Sequence, residues 1–285
     1  MAEFLVIGSG GQLGRSLVAL LGPRAVGLPR SALDIRDRRA VAEALRTHAP
    51  RVVIHAAAAT DVDACERDGR LAWEVNAQGT AHVAEACAAI GSWMLYVSTD
   101  YVFDGHAETP YPPQAPVHPL SAYGRSKAAG ELAVQCLLPQ AHWIVRTSWV
   151  FAPYGHNFPL AILRQALESE QPLRVVADQR STPTYAPDLA RWLLALVERG
   201  KPGLYHAANE GVCSREEFAR EILRQAGLGR TVVPIGSGEA GRPAPRPAYS
   251  ALDCQGTAAV VGPLRPYTEA VADFLAALGP LRPAR

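Results

Sequence analysis

The chain has 285 residues, 28 Lys+Arg against 27 Asp+Glu, and 48% hydrophobic residues. That content supports a sizeable core and excludes disorder as the dominant state, while the near-neutral balance argues against a nucleic-acid or anionic-membrane partner. No apolar run approaches the ~20 residues that span a bilayer, and the N-terminus lacks the basic start and apolar length of a signal peptide, so a cytoplasmic location is expected.

Glu3–Ile7 reads as a short buried strand and Gly11–Leu21 as a helix with apolar positions at Leu13, Leu17, Val18 and Leu21. Ala25–Leu28 is a second strand, Asp37–His48 a helix capped by Asp37 and stopped before Pro50, and Arg51–His55 a third strand opening into Ala56–Ala59. A long helix is expected over Arg70–Ile90, then a strand at Trp93–Val97. After a Pro-rich loop come a helix at Ser121–Leu138 and a strand at His142–Val150. Further helices are expected at Asn157–Glu170, Ala186–Glu198, Ser214–Ala226 and Thr268–Leu278. Short strands fall near Leu173–Val176 and Gly203–His206, and the Gly/Pro-rich stretch 236–247 reads as loop.

Alternation of strands and helices predicts an α/β fold with a doubly wound parallel sheet. Residues 1–150 form its nucleotide-binding domain, to which part of 178–207 returns. Residues 151–285 mainly form a smaller C-terminal substrate-binding lobe at the sheet's carboxyl edge, where ligands bind in such folds.

Gly8-Ser9-Gly10-Gly11-Gln12-Leu13-Gly14 joins the first strand to the first helix. Glycines there permit a tight turn and close approach to a pyrophosphate, with the helix N-terminus supplying N–H groups, so dinucleotide binding is expected. The second strand ends without a carboxylate; Arg30 suits the 2′-phosphate of NADPH, an exposed arginine being the plain alternative, and NADH use stays open. Asp34 and Ile35 follow where a loop would place them by an adenine.

Ser98-Thr99-Asp100-Tyr101 emerges from the fourth strand, and Tyr123-Gly-Arg-Ser-Lys127 falls near the next helix start. The i, i+4 spacing puts the phenol and the ammonium on one face. A nearby Lys⁺ would lower the phenol's pKa from ~10 and hold ribose hydroxyls, with Thr99 bonding the substrate oxygen. Of the 28 basic residues only Lys127 and Lys201 are lysines, which makes a retained ammonium at 127 more telling.

With these motifs the chain resembles the extended short-chain dehydrogenase/reductases, and within them the dTDP-4-dehydrorhamnose reductases. The likeness runs through most of the chain. It includes Gly11-Gln12-Leu13-Gly14, Leu33-Asp34-Ile35, the stretch from His55 to Asp63, Asn76, Ser98 to Gly105, Tyr123-x-x-x-Lys127, Arg146 to Phe151, Asp178-Gln179-Arg180-x-x-Pro183-Thr184 and Arg246-Pro247-x-x-Ser250-x-Leu252-Asp253. The resemblance implies a Rossmann sheet and an NAD(P)H-dependent reductase of a dTDP-linked 4-keto-6-deoxysugar. It implies that Gly11, Gln12 and Leu13 wrap the pyrophosphate, and that Asp34 and Ile35 border the adenine. Ala58, Ala59 and Thr60 would line the cofactor. Thr99, Asp100, Tyr123 and Trp149 would contact the sugar, with Tyr123 and Lys127 shared with the nicotinamide ribose. His55 stands where the family often has Asn. Arg15-Ser16 stands where some members place a Mg²⁺-binding glutamate, so no metal is expected.

Two other readings compete. Dehydratases of the wider family place Asp-Glu where this chain has Asp100-Tyr101, which weakens a dehydratase or epimerase. A regulatory NADP-binding subunit of the methionine adenosyltransferase type would not need Tyr123 or Lys127. The remaining features have plainer expectations. The five widely spaced cysteines read as small buried hydrophobes and the eight histidines show no metal spacing. Asp61, Asp63, Glu66 and Asp68 read as a helix start dressed with carboxylates. Trp149 is expected to stack on the sugar or thymine, and Arg242 and Arg246 either approach the diphosphate or are simply exposed. A homodimer is left open.

Overall fold

The computed structural model describes residues 3–280. Strands β1 (Phe4–Ile7), β2 (Ala25–Leu28), β3 (Val52–His55), β4 (Trp93–Thr99) and β5 (His142–Thr147) alternate with helices α1 (Gln12–Leu21), α2 (Arg38–His48), α3 (Val62–Arg67), α4 (Gly69–Trp73), α5 (Thr80–Ile90) and α6 (Ala122–Leu137). The second half adds β6 (Val150–Phe151), α7 (Phe158–Glu168), β7 (Leu173–Val176), β8 (Arg180–Ser181), β9 (Thr184–Tyr185), α8 (Ala186–Arg199) and β10 (Gly203–His206). It ends with β11 (Cys213–Ser214), α9 (Arg215–Gln225), β12 (Val232–Ile235), α10 (Ser237–Ala240), α11 (Gln255–Val261) and α12 (Tyr267–Leu278).

Six strands form one wholly parallel sheet in the order β10-β5-β4-β3-β1-β2. β1 and β3 are buried along their whole length, the pattern of strands covered on both faces. Alternate side chains feed two cores. Phe4, Val6, Ile54 and Val145 pack against Leu13 and Leu17 of α1 and Leu189 and Leu193 of α8. Leu5, Val53, Met94 and Ile144 pack against Val41 of α2, Val83 of α5 and Val134 of α6. A third core, around Phe151, Ile162, Phe218, Ile222 and Phe274, joins α7, α9 and α12.

Local chemistry fixes the ends. Asp37 accepts from the N–H groups of Arg39 and Ala40, as its cap role predicts, and Ser214 with Glu217 forms a reciprocal capping box at α9. Among the described residues no helix is long and apolar enough to cross a membrane.

The structure adds elements outside the sequence expectation, among them a separate α3, β12 and α11, and three expected segments take a different form. The helix expected over Arg70–Ile90 is divided: α4 and α5 flank a π-helical stretch, Glu74–Gly79. A Cβ at Gly79 would lie 2.7 Å from Ile35, so that turn packs tightly on the loop after β2. The strand expected over His142–Val150 stops at Thr147, and Trp149 takes a left-handed φ of 43° before β6 leaves to pair with β9. The loop expected over 236–247 contains α10, begun where the Ser237 N–H and hydroxyl both bond Asp178.

Candidate active site

The chain leaves β1 for β2 on one side and returns to β3 on the other, which opens a crevice at the carboxyl ends of β1 and β3. Gly8 turns there with φ +87°; a Cβ on it would lie 2.5 Å from Ala57 N, and one on Gly14 would lie 2.2 Å from Gly8 O. Only glycine permits that turn and that contact. Gly11 begins α1 with no side-chain cap and no acidic residue in the first turn. The first N–H groups of a ten-residue helix are thus left to a ligand at the cleft wall formed by Gly11, Gln12, Leu13 and Gly14. A cradle without Cβ atoms at an uncapped helix start fits a dinucleotide pyrophosphate.

The opposite side of the crevice is set by Asn76, in the π-helical stretch. Its Oδ1 accepts from Ala59 N at 2.8 Å, while its Nδ2 donates to Ala59 O at 3.1 Å and Ser126 Oγ at 3.0 Å. This clamp orients Ala58 and Thr60 into the cleft. π-helical turns concentrate at functional sites, and here one carries the clamp.

The next strands supply reactive groups. Thr99 ends β4 opposite Thr147 of β5. Its hydroxyl donates to Asp100 Oδ1 at 3.0 Å and accepts from Tyr101 N at 3.1 Å. Asp100 is buried, with Oδ2 accepting from Ser181 Oγ at 3.2 Å and Ser250 Oγ at 2.6 Å, and burial pushes its pKa up to about 6. Ser121 caps α6 by accepting from Gly124 N, which places Tyr123 and Lys127 one turn apart facing the same cleft.

Lys127 is 2% exposed; its Nζ donates to Val97 O at 2.7 Å and sits 4.0 Å from the centre of the Tyr96 ring. Burial holds its pKa down to about 7, opposed by Glu131 one turn further along α6. Glu131 is itself locked beneath the site: Arg146 donates to both its oxygens, at 2.8 and 2.6 Å, and Ser98 Oγ donates to Oε1 at 2.6 Å. The expectation that Lys127 lowers the Tyr123 phenol is corrected here. Burial pushes that phenol up by desolvating the phenolate, Asp100 and Tyr101 add to the rise, and only the Thr99 hydroxyl opposes it.

The second wall comes from distant segments. Trp149, strained at positive φ, faces the cleft with the Arg215 guanidinium carbon 3.6 Å above its ring. Gln12 reaches across, its Oε1 accepting from Asn157 Nδ2 at 2.8 Å, and Ser16 bonds Tyr154 at 2.6 Å. Asp63 accepts from Arg246 at 2.9 and 3.0 Å and from Arg242 at 3.4 Å, joining α3 to the loop before Ser250. Asp61 and Asp68 cap helices and Asp63 lies in the first turn of α3, as expected, and Asp63 in addition pairs with Arg242 and Arg246.

Of the predicted residues, Gly11–Gly14, Ala58, Thr60, Thr99, Asp100, Tyr123, Lys127 and Trp149 line one cleft of ≈ 950 Å³. Gly8 and Ala59 support its walls from behind. Arg30 is exposed and apart from it, Asp34 gives its carboxylate to Arg36, and the Ile35 side chain is buried in the core beside α2 and α5. The Arg36 hydrogen bonds hold Asp34 down to a pKa of about 2. Sequence reasoning missed Glu131, Arg146 and Arg215. The helix expected over Ser214–Ala226 already sets Arg215 at a helix start, but nothing local tells that its side chain lies over Trp149.

A family model described as the RmlD substrate binding domain matches residues 2–279. A dTDP-4-dehydrorhamnose reductase of Mycobacterium tuberculosis is 44% identical over 97% of this chain and 93% of its own. Two solved structures align with TM-scores of 0.93. A Clostridium acetobutylicum dTDP-4-dehydrorhamnose reductase is 36% identical and covers 96% of this chain and 99% of its own. A Bacillus anthracis dTDP-4-dehydrorhamnose reductase, solved in complex with NADP, is 35% identical and covers 97% of this chain and 100% of its own. With a model match across almost its whole length and relatives of this identity, the chain belongs to the RmlD substrate binding domain family.

Proposed function

We propose that this protein reduces the C4 keto group of dTDP-4-dehydro-L-rhamnose to give dTDP-L-rhamnose, using NADPH. The observation that carries the reading is the convergence of Thr99, Tyr123 and Lys127 on the cleft that also receives the uncapped start of α1. Relatives named for that reaction, one of them holding NADP, support it. We read residues 1–150, with part of 178–207, as the cofactor-binding domain and most of 151–285 as the substrate lobe.

Gly11, Gln12, Leu13 and Gly14 hold the pyrophosphate, and Ala58 to Thr60 line the adjoining stretch. NADPH, when bound, supplies the hydride. Tyr123, kept as a neutral phenol by burial, gives its proton to the oxygen forming at C4. Lys127 beside it holds ribose hydroxyls and stabilises the phenolate left behind. Thr99, held by Asp100 and Tyr101 N, orients the substrate oxygen, and Trp149 packs the sugar. Arg30 is free at the surface to meet a 2′-phosphate.

The test is NADPH absorbance after mixing with dTDP-4-dehydro-L-rhamnose, with NADH in parallel. A rapid fall with dTDP-L-rhamnose as product is expected, larger for NADPH. Bound NADPH that stays unoxidised would contradict the reading.

A further inference from the structure

Arg215 opens α9 directly behind the Ser214 cap, so its backbone position is fixed by the capping box. Its guanidinium carbon lies 3.6 Å from the centre of the Trp149 ring and 5.2 Å from that of Phe158. Trp149 and Phe158 both line the cleft. Trp149 stands two residues after Thr147, the β5 partner of Thr99, whereas Phe158 begins α7, which also gives Pro159 and Ile162 to the lining. The charge therefore bridges Trp149, next to the reactive strand ends, and Phe158, on a helix whose Pro159 and Ile162 offer an apolar surface for a flat base.

The other cations of the cleft are already matched. Arg242 and Arg246 bond Asp63, Arg174 pairs with Glu239, and Lys127 donates to Val97 O. Among the described residues Arg215 forms no salt bridge; its polar neighbour is the buried Tyr101 hydroxyl, with Asp100 acting on it only at longer range. A guanidinium resting over an aromatic ring has five in-plane N–H donors, so one spent on a phenol leaves others for an anion, and it cannot be neutralised by losing a proton. A nucleoside-diphosphate sugar carries its negative charge between its sugar and its base.

Resting on the function proposed above, we infer that Arg215 binds the substrate's diphosphate and so sets the boundary between a sugar subsite at Trp149 and a base subsite at Phe158. The stacking gives Arg215 a second effect: it holds the Trp149 indole toward the sugar while the N–H edge meets the phosphates.

The test is calorimetric binding of dTDP and of thymidine to the intact protein and to Arg215→Met and Arg215→Lys, with NADPH binding reporting that each variant is folded. Arg215→Met should weaken dTDP on the order of 10- to 100-fold, the range of a lost charge-assisted contact, and leave thymidine unchanged. It should also flatten the salt dependence of dTDP affinity, and Arg215→Lys should recover part of the loss as a point charge without the fork. Unchanged dTDP affinity in Arg215→Met would overturn the inference. So would an equal loss for dTDP and thymidine, which would leave Arg215 only a support for Trp149. A wild-type protein that prefers dTDP over thymidine through Arg215 yet reduces no keto-sugar would sink the proposed reaction and leave this site standing.

Discussion

The glycine-loop wall and the Trp149–Arg215 wall face each other across one cleft but are built differently. The first is backbone and small side chains: Gly8, Gly11 and Gly14 in the single turn from β1 into α1, with an uncapped helix start aimed inward. The second is large and charged side chains, drawn from positions as far apart as Trp149, Arg215 and Arg246, and tied back through Asp63 and Asp100. The first wall holds a ligand by shape and dipole, so it needs few residue identities. The second sorts ligands by charge and stacking, and each of its side chains must be held by another.

Substitutions can break that comparison at chosen points. The largest effect is expected where both walls act on the reacting atoms: Tyr123→Phe should lower turnover by about 10²–10⁴ while NADPH binding, measured by fluorescence titration, stays close to normal. On the glycine wall, Gly14→Val should weaken NADPH on the order of 10²-fold and cost about 1–3 kcal/mol in urea unfolding, because the new Cβ meets a carbonyl oxygen with nowhere to move.

On the charged wall, Asp100 supplies a pH test. Its folded pKa is raised from 3.8 to about 6, so the folded state keeps a proton that the unfolded chain releases between those values. Stability from that proton is complete below the unfolded pKa and is lost as pH rises through the folded one. Asp100→Asn should therefore be more stable than the parent by roughly 1–3 kcal/mol near pH 8, with the gain vanishing below about pH 4. The smallest effect belongs to the tie between the walls. Asp63→Asn removes the charge that Arg246 and Arg242 share, and should cost about 1–2 kcal/mol in urea unfolding without altering NADPH affinity.

The same contrast explains what could be read from the chain. The β1–glycine–α1 junction, the Asp37 cap and the Tyr123/Lys127 spacing are local, and their periodicity and turn chemistry place them without tertiary information. The break at Trp149 is not local, since it depends on β6 leaving the sheet to pair with β9. The π-helical turn at Asn76 depends on Ile35 packing against Gly79. Nor could spacing reveal that burial would raise Tyr123 despite Lys127, because desolvation is a property of the assembled site. Glu131 was hidden for a related reason: a helical glutamate reads as surface until Arg146 and Ser98 are seen to enclose it.

The central claim is that the two walls meet to pass hydride from the cofactor held by one to the sugar held by the other. Single turnover with NADPH deuterated at C4 of the nicotinamide, followed by NMR of the nucleotide-sugar, tests it most directly. The account predicts dTDP-L-rhamnose carrying deuterium at sugar C4. Product without the label there, or NADPH that stays bound and unoxidised beside the keto-sugar, would contradict it.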